Sequence, residues 1–194
     1  VPGNPLKAPQ KLLPYIDDGG TIVADSTFIR RHIEAKYRFD FDAHLNVEQQ
    51  AMAWAIERMC EDHLYFAMLE ARWLHPANFR DGVGKMFGVV PGPLRPFAKR
   101  MLIRANRQRL HGHGIGRHKR ADIEALAIRD IDSLAAVLGS KTYLMSDRPC
   151  GADATVFGLV TSILTPPLDT ALRQAMLSHA NLVAYRDRIA GRYF

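Results

Sequence analysis

Only two cysteines, Cys60 and Cys150, occur in the 194 residues. So few exclude a disulfide-stapled scaffold and favour a reducing, cytoplasmic setting, with each thiol a small buried hydrophobe. No apolar run approaches the roughly 20 residues that a bilayer span needs, and Gly158 to Leu164 is far too short. The opening Val1-Pro-Gly-Asn-Pro-Leu6 has neither the basic start nor the apolar block of a signal peptide. It also lacks an initiator Met, so it reads as something other than the native beginning. Acidic residues are missing from Lys85 through Arg120, a stretch that carries Arg95, Lys99, Arg100, Arg104, Arg107 and Arg109. That stretch holds no recognisable nucleic-acid module, and no nucleic-acid partner is expected.

What is present is an ordinary globular composition, 47% hydrophobic and 24% charged, with a formal charge of +6. The length admits one large or two small domains with a sizeable core. Arg100, Arg104 and Arg107 recur at helical spacing and would share one solvated face. A basic field of this kind is compatible with attracting small organic anions.

Residues 1–10 are proline-rich and read as an extended loop. Leu13 to Ile16 and Thr21 to Ala24 read as short strands, joined through Asp17-Asp18-Gly19-Gly20. A helix follows from Ser26 or Thr27 to about Tyr37, capped by Asp25 or Ser26, with Phe28, Ile29, Ile33 and Tyr37 as its apolar stripe. Phe39 to Leu45 reads as a linker that docks its aromatics on a neighbour. Beyond it every pattern is helical. Asn46 caps a long helix that runs to roughly Leu74, with Glu48 and Gln49 in its first turn, and Pro76 ends it. Further helices are expected over Phe97 to Leu110 and Ala121 to Leu138. Ala152 to Leu164 is apolar nearly all round, which marks a central buried helix. Asn181 is expected to cap the last one. Taken together this is an α+β chain: a β-hairpin and helix, then an all-α bundle.

Two segments carry a family resemblance. Tyr143-Leu-Met-Ser-Asp-Arg-Pro-Cys-Gly-Ala-Asp-Ala-Thr-Val-Phe-Gly158 resembles the helix-capping box of the glutathione transferase helical domain, with Asp153 as the acidic member and Cys150 at the hydroxyl position. Cysteine is a weaker hydrogen-bonding partner than serine or threonine, so a slightly loosened cap is expected. Lys11-Leu-Leu-Pro-Tyr-Ile16, followed by Thr21-Ile-Val-Ala-Asp-Ser-Thr-Phe-Ile29, resembles the thioredoxin-like half of the same family. With Gly112 to His118 and Asn181 to Ile189, the chain is similar to a bacterial-type branch related to metaxins and to failed axon connections proteins.

The resemblance implies a partial thioredoxin-like domain over 1–38, whose first β-α-β unit is not in the chain. An all-helical glutathione transferase C-terminal domain would follow over 46–194. The residue that activates the glutathione thiol would belong to the absent segment. In the glutathione site, Leu13 would offer backbone N–H and C=O to the cysteinyl part, and Pro14 would fix the loop as a cis-proline. Ser26 would hydrogen-bond the γ-glutamyl carboxylate at the helix N-terminus, and Asp25 would help hold the α-amino group. Read without the family, Asp25 or Ser26 caps a helix and Pro14 starts a strand. The resemblance further implies glutathione as co-substrate, a small electrophile as second substrate, transfer of alkyl or aryl groups, and a homodimer. The alternative is a non-catalytic, metaxin-like interaction or assembly module.

Other constellations carry less. His111, His113 and His118 lie close in sequence but amid arginines and without nearby carboxylates, so no metal is expected. Asp62-His63 is no acid–base pair, because adjacent helical residues point apart. Met59, Tyr65, Phe66 and Trp73 are candidates for an apolar substrate pocket, although such residues at helical spacing are more often core.

Overall fold

The structure is a computed structural model that describes residues 8, 9 and 13–194. Most of the expected 1–10 loop, together with Lys11 and Leu12, lies outside the described residues. The chain divides into two compact units, residues 1–44 and 45–194.

In the first unit, β1 (Tyr15–Asp18) pairs antiparallel with β2 (Thr21–Ala24), with Tyr15 opposite Ala24 and Asp18 opposite Thr21. The first strand therefore runs two residues further than the sequence suggests, through both aspartates. The loop shrinks to Gly19-Gly20, with φ of 63° and 90°. Two consecutive positive φ values are what a tight two-residue hairpin demands, and glycine supplies them without a steric penalty. The Gly20 N–H donates to Asp17 Oδ1 at 2.8 Å and fixes the turn.

Helix α1 (Ser26–Tyr37) follows directly. Its expected apolar stripe is only partly covered: Ile29 and Ile33 are half-buried, whereas Phe28 and Tyr37 are exposed. A two-stranded ribbon of four residues per strand offers too little surface to cover a whole helix face. Polar clasps supplement the packing. Asp18 accepts from His32 Nε2 at 2.7 Å and from Lys36 Nζ at 2.5 Å, tying β1 to α1. The expected docking of the 39–45 aromatics is corrected too, since Phe39 and Phe41 are exposed. That segment is held by the Phe41 N–H on Glu34 Oε1 and by an Arg30–Asp42 pair at 3.1 Å.

The second unit is entirely helical among its regular elements. Helix α2 (Val47–Met59) opens on a capping box: Asn46 Oδ1 accepts from the Gln49 N–H at 2.8 Å, and Gln49 Oε1 accepts from the Asn46 N–H at 3.0 Å. The expected single helix to Leu74 is interrupted by one π-helical stretch, Cys60–Leu64, before α3 (Tyr65–Trp73). Pro76 then begins α4 (Pro76–Asp81), occupying the first helical position where its missing N–H costs nothing.

Helix α5 (Arg95–His113) runs through His111-Gly112-His113 rather than stopping before them. It ends at Gly114, φ 108°. A Cβ at Gly116 would lie 2.7 Å from the Leu110 carbonyl carbon, so that glycine lets the chain cross its own helix end. Helices α6 (Arg120–Leu138), α7 (Gly151–Leu164), α8 (Ala171–Ser178) and α9 (Ala180–Tyr193) complete the unit. Helix α7 is the central element, packing against α2, α8 and α9, with Val156, Val160 and Ile163 in the core. Asn181 caps no helix of its own, because α9 starts from His179. Its side-chain amide donates instead to the Ala135 and Gly139 carbonyls at the end of α6. A carbonyl carries two lone pairs, so the last carbonyls of a helix can accept from a neighbouring side-chain amide, as Ala135 does while also accepting from the Gly139 N–H at 2.9 Å.

Candidate glutathione site

The four candidate ligand residues lie in the first unit, around the hairpin. The Leu13–Pro14 peptide bond is cis. Antiparallel pairing sets Tyr15 beside Ala24, so the residues just outside the ladder, Pro14 and Asp25, also meet. The Asp25 N–H donates to the Pro14 carbonyl at 3.1 Å. Pairing thus brings together two residues eleven positions apart. Leu13, Pro14, Asp25 and Ser26 are all exposed.

Asp25 is the cap of α1. Its Oδ1 accepts from the Thr27 N–H at 2.9 Å. Its backbone is at φ 76°, ψ 133°, outside the left-handed helical well and in territory that non-glycine residues rarely occupy. A conformation of that kind costs of order 1–3 kcal/mol. It sits where a strand must hand the chain to a helix with no intervening loop. Nothing in the residue pattern signals it, since an ordinary N-cap takes an extended backbone. Ser26 opens the helix beside it, so free N–H groups, a hydroxyl and a carboxylate share one exposed helix mouth.

In the second unit the Cys150–Asp153 box closes with both arms, the Cys150 side chain on the Asp153 N–H and the Asp153 carboxylate on the Cys150 N–H at 2.8 Å. Asp153 does more than cap. Its Oδ1 also accepts from the Leu144 N–H at 2.9 Å and from the Tyr185 hydroxyl at 2.7 Å. Burial and the adjacent Asp153 push the Tyr185 phenol far above its usual range. One buried carboxylate therefore binds the 143–150 loop, α7 and α9.

The π-helical stretch reveals a pair that the sequence hid. His63 turns away from Asp62 and pairs with Asp130 of α6, Nδ1 to Oδ2 at 2.5 Å. Burial raises the Asp130 carboxyl above its ordinary value against the opposing pull of that hydrogen bond. Cys60, buried nearby, has its thiol pushed up to about 12, chiefly by desolvation and then by the Asp130 charge. It is inert as a nucleophile at neutral pH. His113 stacks on Phe66 with centroids 3.8 Å apart. Among the described residues no group of three or more His, Cys, Asp or Glu is placed to hold a metal. Met59, Tyr65, Phe66 and Trp73 pack partly buried against the core. A cavity of about 10 Å³ lined by Met68, Arg72, Ile163 and Leu172 has room for a single water and cannot admit a substrate.

Residues 2–78 match the glutathione S-transferase N-terminal domain, and residues 127–189 match the glutathione S-transferase C-terminal domain. The isoprene-epoxide–glutathione S-transferase of Rhodococcus sp. (strain AD45) is 30% identical, over 96% of this chain and 79% of its own. The chain belongs to the glutathione S-transferase family. Within the family it is also similar to Drosophila melanogaster Failed axon connections, 26% identical over 94% of this chain and 46% of that protein. Human metaxin-2 is 25% identical over 96% of this chain and 72% of its own. No solved structure matches significantly. The α+β fold, a hairpin with helix ahead of a helical bundle, is that of the family. No helix among the described residues is long and apolar enough to cross a membrane.

Proposed function

We propose that this family member binds glutathione at the hairpin–α1 junction and joins its sulfur to a small electrophile. The observation that carries the reading is Asp25, held in a costly backbone conformation by its N–H bond to Pro14 and its cap on Thr27. Strain at an exposed helix mouth supports a site there, beside its part in the direct strand-to-helix connection. Ser26 there offers a hydroxyl, beside free amides and the positive end of the α1 dipole, to a γ-glutamyl carboxylate. Asp25 accepts one capping bond, and a carboxylate has further lone pairs for an α-ammonium group. Leu13, exposed beside the cis bond to Pro14, offers its main-chain N–H and C=O to the cysteinyl part of the tripeptide.

The relative that acts on isoprene epoxide makes a small epoxide the first electrophile to test. There the glutathione thiolate attacks a ring carbon, a C–S bond forms as the C–O bond breaks, and the alkoxide takes a proton. The test is retention on a glutathione-affinity resin of the protein and of Ser26→Ala. Retention of the first and early elution of the second supports the site. Equal retention removes Ser26 from it, and no retention of either removes glutathione. A second reading, an interaction or assembly module, is favoured by the similarity to metaxin-2 and Failed axon connections. Glutathione retention without conjugation of any of several small epoxides would select it.

A further inference from the structure

Helix α5 has two apolar faces, and only one of them meets the core. Leu110 is fully buried and Ile103 half-buried. Leu94 closes a 3-10 turn (Gly92–Leu94) just ahead of α5, and within the helix, at about 100° per residue, Phe97 and Met101 fall about 40° apart on the opposite side. Leu94, Phe97 and Met101 are 58%, 70% and 54% exposed. Arg100, Arg104 and Arg107 occupy the adjoining arc, all exposed. Just ahead, Val89 is 91% exposed at the end of a 3-10 turn (Val83–Val89). That tip is built, because Arg95 donates to the Gly88 carbonyl at 2.9 Å and to the Val90 carbonyl at 2.7 Å.

We propose that this outward face of α5, with the Val89 tip, docks on an anionic lipid bilayer. An apolar stripe flanked by arginines suits a surface that is negatively charged outside and hydrocarbon within. Arginine stems lie along apolar surface while their guanidinium groups reach the lipid phosphates. A second copy of the chain is a poor occupant. A two-fold contact would set arginine against arginine, and Lys85 through Arg120 offers no carboxylate to relieve it. A bare polyanion would use the arginines and leave the apolar stripe in water. The face lies within the second unit, contains none of the candidate ligand residues of the first, and does not depend on glutathione binding.

The experiment is co-sedimentation with phosphatidylcholine vesicles, with and without phosphatidylglycerol. Binding is expected only with the anionic lipid, falling as salt rises. Arg100→Gln/Arg104→Gln/Arg107→Gln should weaken it on the order of 100-fold, at roughly fivefold per basic residue near an anionic surface. Val89→Ser/Phe97→Ser/Met101→Ser, which removes only exposed side chains, should weaken it at least about tenfold. Ser26→Ala should leave it unchanged. No binding to the anionic vesicles would overturn the proposal. So would binding indifferent to the serine variant and matched by heparin, or a dimer in solution that the serine variant dissociates.

Discussion

Replacing Asp25 by glycine separates the site reading from a plain helix cap. Glycine at φ 76° relieves a strain of order 1–3 kcal/mol. Against that stand a few tenths of a kcal/mol for the lost cap and about 0.4–1 kcal/mol for the freer unfolded chain. Asp25→Gly is therefore expected to leave the hairpin unit as stable as before or more stable by up to about 2 kcal/mol. Asp25→Ala keeps the strain and loses the Thr27 bond, so it should cost about 0.5–2 kcal/mol. The chain's two tryptophans, Trp54 and Trp73, both lie in the other unit, so fluorescence would miss the effect. Native-state amide exchange over Tyr15–Ala24 reads it directly. Both variants remove the carboxylate and should weaken glutathione retention, and Asp25→Gly alone should combine undiminished stability with an impaired site. A glycine variant less stable than the parent by more than about 1 kcal/mol would show that the strain argument is wrong.

Asp153→Ala strands two buried donors, the Cys150 and Leu144 amides, and leaves the Tyr185 hydroxyl only the residue-153 carbonyl at 3.2 Å. A loss of about 3–5 kcal/mol is expected in urea unfolding of the second unit, and a loss under 1 kcal/mol would refute Asp153's role as its polar hub. Asp18 titrates below its ordinary 3.8 because Lys36, then His32, hydrogen-bond its charged form. A depressed carboxyl stabilises the folded state above its unfolded pKa, and that contribution disappears as pH falls through the folded value. Amide exchange of β1 and β2 should therefore quicken on acidification below about pH 4 beyond the intrinsic trend. Asp18→Asn should exchange faster at neutral pH and lose that acid response.

The candidate site was half legible in the sequence. Pro14, Asp25 and Ser26 could be selected because a proline, a capping carboxylate and a hydroxyl flank a two-glycine turn in a family-like order. The backbone of Asp25 was illegible, since aspartate at a cap ordinarily implies an extended conformation. Where helix ends depend on local chemistry they were readable, as at Asn46. Where they depend on a neighbour they were not: Asn181 satisfies the end of α6 rather than starting α9.

By itself the sequence determined most of the elements and the family. Hydrophobic period, caps and turn glycines act within a few residues, and the capping box with the hairpin carries the likeness. Only the tertiary structure decided which side chains meet. It paired His63 with Asp130 across 67 positions. It made Asp153 the common acceptor for a loop and two helices, and it turned one apolar stripe of α5 outward. Contacts between distant segments follow from how whole helices pack, and no local pattern of residues encodes that packing.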